Sequence, residues 1–254
     1  MAADAYDRFM GRFSRLLAPQ MADLAGVRAG QTVLDVGSGT GKLTEVLVER
    51  VGAASVTAID PSEAFVGASR ERFPGVRVER GSAESLPFDD DVFDASIAQL
   101  VVHFMTEPVR GIAEMRRVTR PGGVVAACVW DHAGGTGPVS LFWTAAHDVG
   151  TDVADEGDLP GARQGHLMEL FRLAGLHDVA GSVVTADLEM ATFDAWWEPF
   201  TRGVGPAGAY YQGLGEADRE RLTARARELA GPEPFTIEAR AWAASGIAEP
   251  PRDR

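Results

Sequence analysis

The stretch VLDVGSGTGKLT, residues 33–44, places three alternating glycines directly after a short apolar run. Asp35 lies two residues before Gly37, the first of these glycines. The apolar residues of KLTEVLVERV, residues 42–51, recur at helical spacing after the loop. A buried strand that passes through glycines into a helix is typical of a loop that approaches a nucleotide-like ligand closely.

The spacing excludes two common nucleotide-binding loops. A P-loop requires G-x-x-x-x-G-K-[ST], but Val36 stands at the first glycine position and Leu43 at the Ser/Thr position. A dinucleotide loop requires G-x-G-x-x-G, and Lys42 stands at its third glycine. The remaining pattern, D-x-G-x-G-x-G, consists of Asp35, Gly37, Gly39 and Gly41. This stretch alone leaves open a tight strand-to-helix turn that binds no ligand.

A second strand, SVTAID at residues 55–60, ends in the carboxylate Asp60. At the end of the neighbouring parallel strand this carboxylate lies beside the glycine loop, where it can accept both hydroxyls of a ribose. The alternative is that Asp60 only caps the helix that begins after Ser62. The joint occurrence of loop and carboxylate favours the ribose interpretation.

Strands and helices alternate with short connections over residues 32–130. This order predicts parallel strands with right-handed crossovers, that is, an α/β doubly wound, mostly parallel seven-stranded sheet of the Rossmann-like type. An N-terminal capping helix and an aromatic-rich lid complete the prediction. The predicted segments are an N-terminal helical cap (1–28), a cofactor-binding core (29–131), an insertion (132–163), a core helix and strand (164–190), a lid insertion (191–231) and a final strand (232–248).

Composition limits the partners of the chain. Its 254 residues carry a formal net charge of −13, which repels phosphate backbones, so we expect no nucleic-acid partner. Apolar stretches are too short for a membrane span or a signal peptide, which favours a cytoplasmic protein without a membrane partner. The single cysteine, Cys128, lies in the apolar run VVAACVW and is expected to be a buried small hydrophobe. A monomer or a homodimer is expected.

Four stretches in this order resemble the class I S-adenosylmethionine-dependent methyltransferases, in particular the ubiquinone-biosynthesis-type (methyltransferase type 11) subfamily. They are VLDVGSGTGKLT, VTAIDPS, VERGSAESLPFDDDVFDASIAQLVVHFM and EMRRVTRPGGVV, and they cover about residues 30–130. The resemblance implies S-adenosylmethionine as cofactor, S-adenosylhomocysteine as its product and a methyl acceptor as substrate. Because the subfamily is chemically mixed, it does not define the acceptor.

The resemblance also implies roles for individual residues. The loop would pass under the methionine part of the cofactor, Asp35 would orient it, and Asp60 would accept the ribose hydroxyls. The backbone N–H of Ala83 would bind an adenine nitrogen, and the backbone carbonyl of Gln99 would meet the methionine ammonium. The predicted cofactor-binding residues are Tyr6, Arg12, Asp35, Gly37, Ser38, Gly39, Gly41, Asp60, Pro61, Ser82, Ala83, Glu84 and Gln99.

One departure from the family pattern bears on these roles. The family commonly has Gly-Asp-Ala where this chain has Gly81-Ser82-Ala83, so adenine would meet an uncharged acceptor, with Glu84 as a neighbour that either helps or lies at the surface.

Catechol-type members of the superfamily hold magnesium with several acidic residues after the fourth and fifth strands, whereas this chain offers only Asp131. No metal is expected.

The acceptor site is predicted at the carboxyl ends of the strands. His103, beyond the fourth strand, is a candidate general base, or alternatively a histidine packed under the cofactor loop. Aromatic residues cluster in the two insertions, which favours an apolar or aromatic small molecule, although half of them would serve as packing. The predicted pocket residues are His103, Trp130, His132, Trp143, Trp196, Trp197 and Tyr210. A protein or RNA methyltransferase and a non-catalytic cofactor-binding module remain alternatives.

Overall fold

One seven-stranded sheet organises the part of the chain that this computed structural model describes, residues 2–150 and 156–249, with side chains from residue 9 onward. The strands are β1 (Val33–Val36), β2 (Val56–Asp60), β3 (Arg77–Arg80), β4 (Phe93–Gln99), β5 (Thr119–Trp130), β6 (His177–Met190) and β7 (Phe235–Ile247). Their order is β3-β2-β1-β4-β5-β7-β6. Only β7 runs antiparallel to its neighbours β5 and β6 among these strands. The predicted fold class is confirmed.

Helices cover both faces of this sheet. They are α1 (Ala2–Leu24), α2 (Lys42–Val51), α3 (Glu63–Arg72), α4 (Pro108–Val118), α5 (Ser140–Asp148), α6 (His166–Leu173), α7 (Phe193–Thr201), α8 (Gly205–Gly213) and α9 (Glu216–Ala230). One core contains Phe13 and Leu17 of α1 with Leu47 of α2. The opposite core contains Ile112 of α4 and Phe171 of α6. Covered faces explain why β1 is apolar along its length except at Asp35.

Local sequence explains where the central elements begin and end. The hydroxyl of Ser62 accepts from the N–H of Phe65 and caps α3, as the sequence predicts. Gly41, with φ of 81°, turns the chain into α2, whose bounds match the predicted helix 42–51. Strand β5 is irregular at its start, because the register with β4 shifts between the Phe93 and Ala95 pairs and so accommodates Pro121-Gly122-Gly123.

A helical layer of α5, α7, α8 and α9 forms the lid. Its core is a cluster of aromatic rings with centroids mostly about 5 Å apart, many of them edge to face. Each fully buried aromatic side chain contributes about 1.5–3 kcal/mol by burial. The rings belong to Phe142, Trp143, Phe193, Trp196, Trp197, Phe200, Tyr210 and Tyr211.

Two further expectations can be compared with the structure. Cys128 is fully buried in β5, and burial raises the pKa of its thiol to about 12, so it is a packing residue. Within the described ranges, no helix has both the length and the apolar content needed to cross a bilayer.

Candidate functional site

The glycine loop between β1 and α2 adopts left-handed backbone conformations at each of its glycines. The φ angles are 69° at Gly37, 53° at Gly39 and 81° at Gly41. A Cβ on Gly37 would lie 2.5 Å from a methyl group of Val101, and one on Gly41 would collide with the ring of Phe73. A Cβ on Gly39 would meet nothing within 4 Å. Gly39 is therefore the position at which the backbone is open to an approaching molecule.

Asp60, at the end of β2, holds this loop in place. Its Oδ2 accepts from the N–H of Gly39 at 2.9 Å, and its Oδ1 accepts from the N–H of Ser62 at 2.8 Å. Burial raises the pKa of Asp60, and both backbone donors partly counteract this effect. Each carboxylate oxygen retains acceptor capacity beyond its one backbone donor, so the group can accept two ribose hydroxyls without leaving the loop.

Asp35, inside β1, is almost completely buried at 2% exposure. The hydroxyl of Thr44 in α2 donates to its Oδ2 at 2.6 Å, which links the strand to the helix on either side of the loop. The pKa of Asp35 is raised to about 7, mainly by burial; the Thr44 hydrogen bond partly counteracts this effect, and the nearby charge of Asp60 adds to it. A bound cation would favour the charged form of Asp35.

The raised pKa of Asp35 predicts a pH-dependent stability. The unfolded chain ionises this group near pH 3.8, whereas the folded chain holds the proton up to about pH 7. The contribution to stability is therefore full below pH 3.8 and is lost as the pH rises through about 7. Asp35→Asn, which cannot ionise, should gain roughly 4 kcal/mol of unfolding free energy relative to wild type between about pH 4 and pH 8. Urea unfolding across this range measures it; a pH-independent difference would contradict it.

The segment after β3 carries the predicted adenine-side residues. The hydroxyl of Ser82 donates to the Glu84 carboxylate, whose Oε1 accepts from the N–H of Thr106 at 2.9 Å. Glu84 thus ties this segment to the chain just before α4. Ala83 is buried, whereas Pro61, directly after β2, is exposed.

Buried polar atoms without a partner occur near the end of β4 and in the glycine loop. The Oε1 of Gln99 and the hydroxyl oxygen of Ser38 are buried, and neither has a hydrogen-bond partner in the protein. The Nε2 of Gln99 donates to the carbonyl of Ser14 in α1 at 2.9 Å. Unsatisfied buried polar groups are costly, and a ligand that bonds to them offsets that cost. These atoms, the open Gly39 and the Asp60 carboxylate fit an amino-acid nucleoside such as S-adenosylmethionine.

The remaining predicted cofactor contacts in α1 differ in their surroundings. Nη1 of Arg12 lies 3.8 Å from the sulfur of Met190, in the strand at the far edge of the sheet from β3. The side chain of Tyr6 lies outside the described residues. Contact of either residue with the cofactor stays a prediction.

A cleft of about 490 Å³, including the part open to solvent, lies where β4 and β5 end. It includes three of the predicted pocket residues: His103, Trp130 and His132. Sequence reasoning missed its other walls, which come from α1, the lid and the segment after the fourth strand. They are Phe9, Met10, Leu100, Phe104, Val139, Glu156, Val204, Gly205, Pro206 and Ala207.

The other predicted pocket residues lie in the aromatic cluster of the lid. Trp196 and Trp197 are buried among Phe193 and Phe200. Tyr210 packs on Trp143 at a centroid distance of 5.4 Å. The indole N–H of Trp143 donates to Glu156 at 3.0 Å, so this residue stands directly behind one wall of the cleft.

His103 is buried in the cleft wall, with its ring centroid 6.1 Å from that of His132. Burial, and to a lesser extent electrostatic repulsion from His132, lower the pKa of His103 to about 3. The imidazole is therefore neutral at physiological pH. Its Nδ1 is buried without a hydrogen-bond partner.

Asp131, the acidic residue after β5, stabilises a turn. It accepts from the N–H of Gly134 at 2.9 Å, the hydroxyl of Thr136 at 2.7 Å and the indole of Trp242 at 2.8 Å. Within the described residues, no group of three or more His, Cys, Asp or Glu side chains is placed to hold a metal ion.

Comparison with known proteins identifies a methyltransferase domain in part of the chain. Residues 34–127 match the methyltransferase domain family. An uncharacterized methyltransferase of Mycobacterium bovis is 36% identical over 157 residues, which is 62% of this chain and 59% of that protein. A demethylmenaquinone methyltransferase of Renibacterium salmoninarum is 35% identical over 112 residues, 44% of this chain and 46% of that protein. The chain thus matches less than two thirds of the length of either relative.

Solved structures agree in fold. The YcgJ protein of Bacillus subtilis superposes with a TM-score of 0.58 at 18% identity, over 92% of this chain and 98% of that chain. Residues 34–127, which include the glycine loop, Asp60 and β4, are a methyltransferase domain.

Proposed function

We propose that this protein transfers a methyl group from S-adenosylmethionine to a small, apolar or aromatic acceptor bound in the cleft beyond β4 and β5. One observation carries the proposal. The strand that ends in Gln99, with its unsatisfied buried oxygen, continues directly into Leu100, which lines the cleft. The cofactor side and the acceptor side thus meet within one residue of chain.

The lining of the cleft supports a small acceptor. Its walls are mostly apolar, and the relative from Renibacterium salmoninarum is named for a small-molecule acceptor, demethylmenaquinone. A peptide or RNA would need a longer and more open groove.

When bound, S-adenosylmethionine would supply a methyl group activated by the positive charge on its sulfur, and the sulfur would become a neutral thioether on transfer. The residues of this chain orient the partners and exclude water. Asp60 and the glycine loop fix the cofactor side of the site, while Phe9, Met10 and Trp130 enclose the acceptor side. Correct positioning of two reactants can lower a barrier by about 7–11 kcal/mol.

His103 contributes as a neutral imidazole in this proposal. A group with a pKa of about 3 is a weak proton acceptor near pH 7, so it orients the acceptor through a hydrogen bond more effectively than it removes a proton. The acceptor proton, where there is one, then leaves to solvent after or during transfer.

The pH dependence of turnover tests the role of His103. A general base with an ordinary histidine pKa would give kcat/KM an inflection near pH 6.5 that disappears in His103→Asn. We expect instead that wild type and His103→Asn give profiles of the same shape between about pH 5 and pH 8, with kcat/KM of the variant lower by about tenfold. An inflection that is present only in wild type would show that His103 acts as the base.

Calorimetry with S-adenosylhomocysteine tests the proposed function first, with NAD and ATP as control ligands. Tight binding of S-adenosylhomocysteine alone supports the assignment of the loop and permits a screen of apolar acceptors with labelled methyl donor. Binding without transfer to any small acceptor would favour a non-catalytic module. A folded protein that binds none of these ligands would overturn the proposal.

A further inference from the structure

The C-terminal half of α3 contacts the glycine loop through two hydrogen bonds. The hydroxyl of Ser69 donates to the carbonyl of Gly39 at 3.0 Å, and Nη1 of Arg72 donates to the carbonyl of Thr40 at 3.1 Å. The paired residues are 30 and 32 positions apart in the sequence. Because residues three apart on a helix lie on the same face, one face of α3 holds two consecutive carbonyl groups of the loop.

Phe73, directly after α3, extends this contact to the next loop residue. Its ring occupies the space that a Cβ on Gly41 would need. The guanidinium of Arg72 lies 4.9 Å from the centroid of the same ring, which keeps the two side chains together. The contacts of α3 thus follow the loop in order over Gly39, Thr40 and Gly41.

Ser69 is the buried polar residue of this face, with a side chain at 0% exposure. A serine inside a helix usually faces solvent or bonds to the carbonyl four residues before it, whereas Ser69 donates to a different segment. The N–H of Gly39 donates to Asp60 at 2.9 Å. Both backbone groups of Gly39 are therefore held by side chains, the N–H from β2 and the carbonyl from α3.

From these contacts we infer that Ser69 is a positioning residue for cofactor binding, which holds the Gly39 carbonyl so that the open side of this glycine stays turned toward the cofactor. The inference rests on the proposed function, because it concerns the same cofactor site. Ser69 acts through the loop and does not itself touch the cofactor. Glycines adopt many backbone conformations, so a loop that is already held in its binding conformation loses less entropy when the ligand binds.

Ser69→Ala tests this role by calorimetry with S-adenosylhomocysteine near pH 7. The variant removes the hydroxyl and leaves a residue that favours the helix. We expect the affinity to fall about three- to fivefold, the equivalent of about 0.6–1.0 kcal/mol, because part of the binding free energy is then used to order the loop.

Ser96→Ala is the matched control. Ser96, in β4, is also at 0% exposure, and its hydroxyl bonds to that of Thr119 at 2.8 Å, inside the sheet. The control should lose a similar amount of thermal stability but bind S-adenosylhomocysteine within about 1.5-fold of wild type. Wild-type affinity in Ser69→Ala, or an equal loss of affinity in both variants, would overturn the inference.

Amide hydrogen exchange in the protein without ligand tests the loop directly. The amide of Gly39 is hydrogen-bonded to Asp60, so its exchange reports the opening of the loop. It should exchange at least about threefold faster in Ser69→Ala than in wild type, and at the wild-type rate in Ser96→Ala. An unchanged rate in Ser69→Ala would contradict the inference, because a structural role elsewhere in α3 would not involve this amide.

The two measurements separate this inference from the proposed function. Wild-type protein that binds no S-adenosylhomocysteine would count against methyl transfer, and exchange at Gly39 would still decide whether Ser69 holds the loop. Wild-type protein that binds, together with a Ser69→Ala variant of equal affinity, would count only against the positioning role.

Discussion

Replacing Asp60 by asparagine should weaken the binding of S-adenosylhomocysteine by about 30- to 100-fold, the equivalent of roughly 2–3 kcal/mol. The charged carboxylate accepts from the N–H groups of Gly39 and Ser62 and has capacity for both ribose hydroxyls. An amide keeps one acceptor oxygen and turns an N–H₂ group toward the other donor. The variant therefore loses a charge-assisted contact with ribose and loosens the loop that carries Gly39. Calorimetry at neutral pH gives the affinity.

Asp94→Asn is the matched control for this experiment. Asp94, in β4, also accepts backbone and side-chain hydrogen bonds, from the N–H of Thr32 at 2.7 Å and the Thr32 hydroxyl at 2.9 Å. It stands at the amino end of β4, away from the glycine loop. The control should unfold at a lower temperature but bind S-adenosylhomocysteine like wild type. Wild-type affinity in Asp60→Asn, with the fold intact, would show that the ribose assignment is wrong.

Gly39→Ala should reduce S-adenosylhomocysteine affinity by more than about tenfold while leaving the protein folded. The new methyl group meets no protein atom, so the free energy of unfolding should fall mainly because alanine disfavours the left-handed backbone conformation, by about 1–2 kcal/mol. That same open space is where the proposed cofactor comes closest to the backbone. A methyl group there collides with the ligand, not with the protein.

Gly26→Ala separates backbone strain from this collision. Gly26 follows α1 with φ of 63°, and a Cβ there also meets nothing within 4 Å. Both variants should lower the melting temperature by a similar amount, whereas only Gly39→Ala should lose ligand affinity. Thermal unfolding and calorimetry on the two proteins measure both effects. Equal affinities in the two variants would indicate that the cofactor does not pass over Gly39.

The first strands and helices of the sheet follow from local sequence. Short strands end in glycine or aspartate, and the residues between them have clear helical spacing, so the bounds of β1, α2, β2 and α3 could be predicted to within a residue or two. The lid was harder to predict. Residues 193–213 are rich in glycine and aromatic residues. Helix α7 exposes Asp194 and Glu198 on one side, but α8 has no polar face, and its folding depends on packing against α7 and α5.

The candidate site also has one part that local sequence predicts and one part that it does not. Asp60 and the glycine loop could be located because residues close in sequence place them, at the ends of adjacent strands. The cleft could not, because its walls come from α1, the end of β4, the start of α8 and Glu156. In sequence, Trp196 and Trp197 look as suitable for a pocket as Trp130 does. Only the tertiary structure shows that the first two pack among other rings, whereas Trp130 lines the cleft. Glu156 gave no sequence signal at all.

The position of β7 has a consequence for how the chain is made. This strand begins at Phe235 yet lies between β5, which ends at Trp130, and β6. During synthesis, β5 therefore emerges about 100 residues before the strand that covers its edge. Until then β5 presents a row of unpaired backbone groups, the kind of edge on which chains associate wrongly. The long-range pairing of Val129 with Trp242 closes that edge, so we expect β7 to limit the folding rate and the yield of the protein.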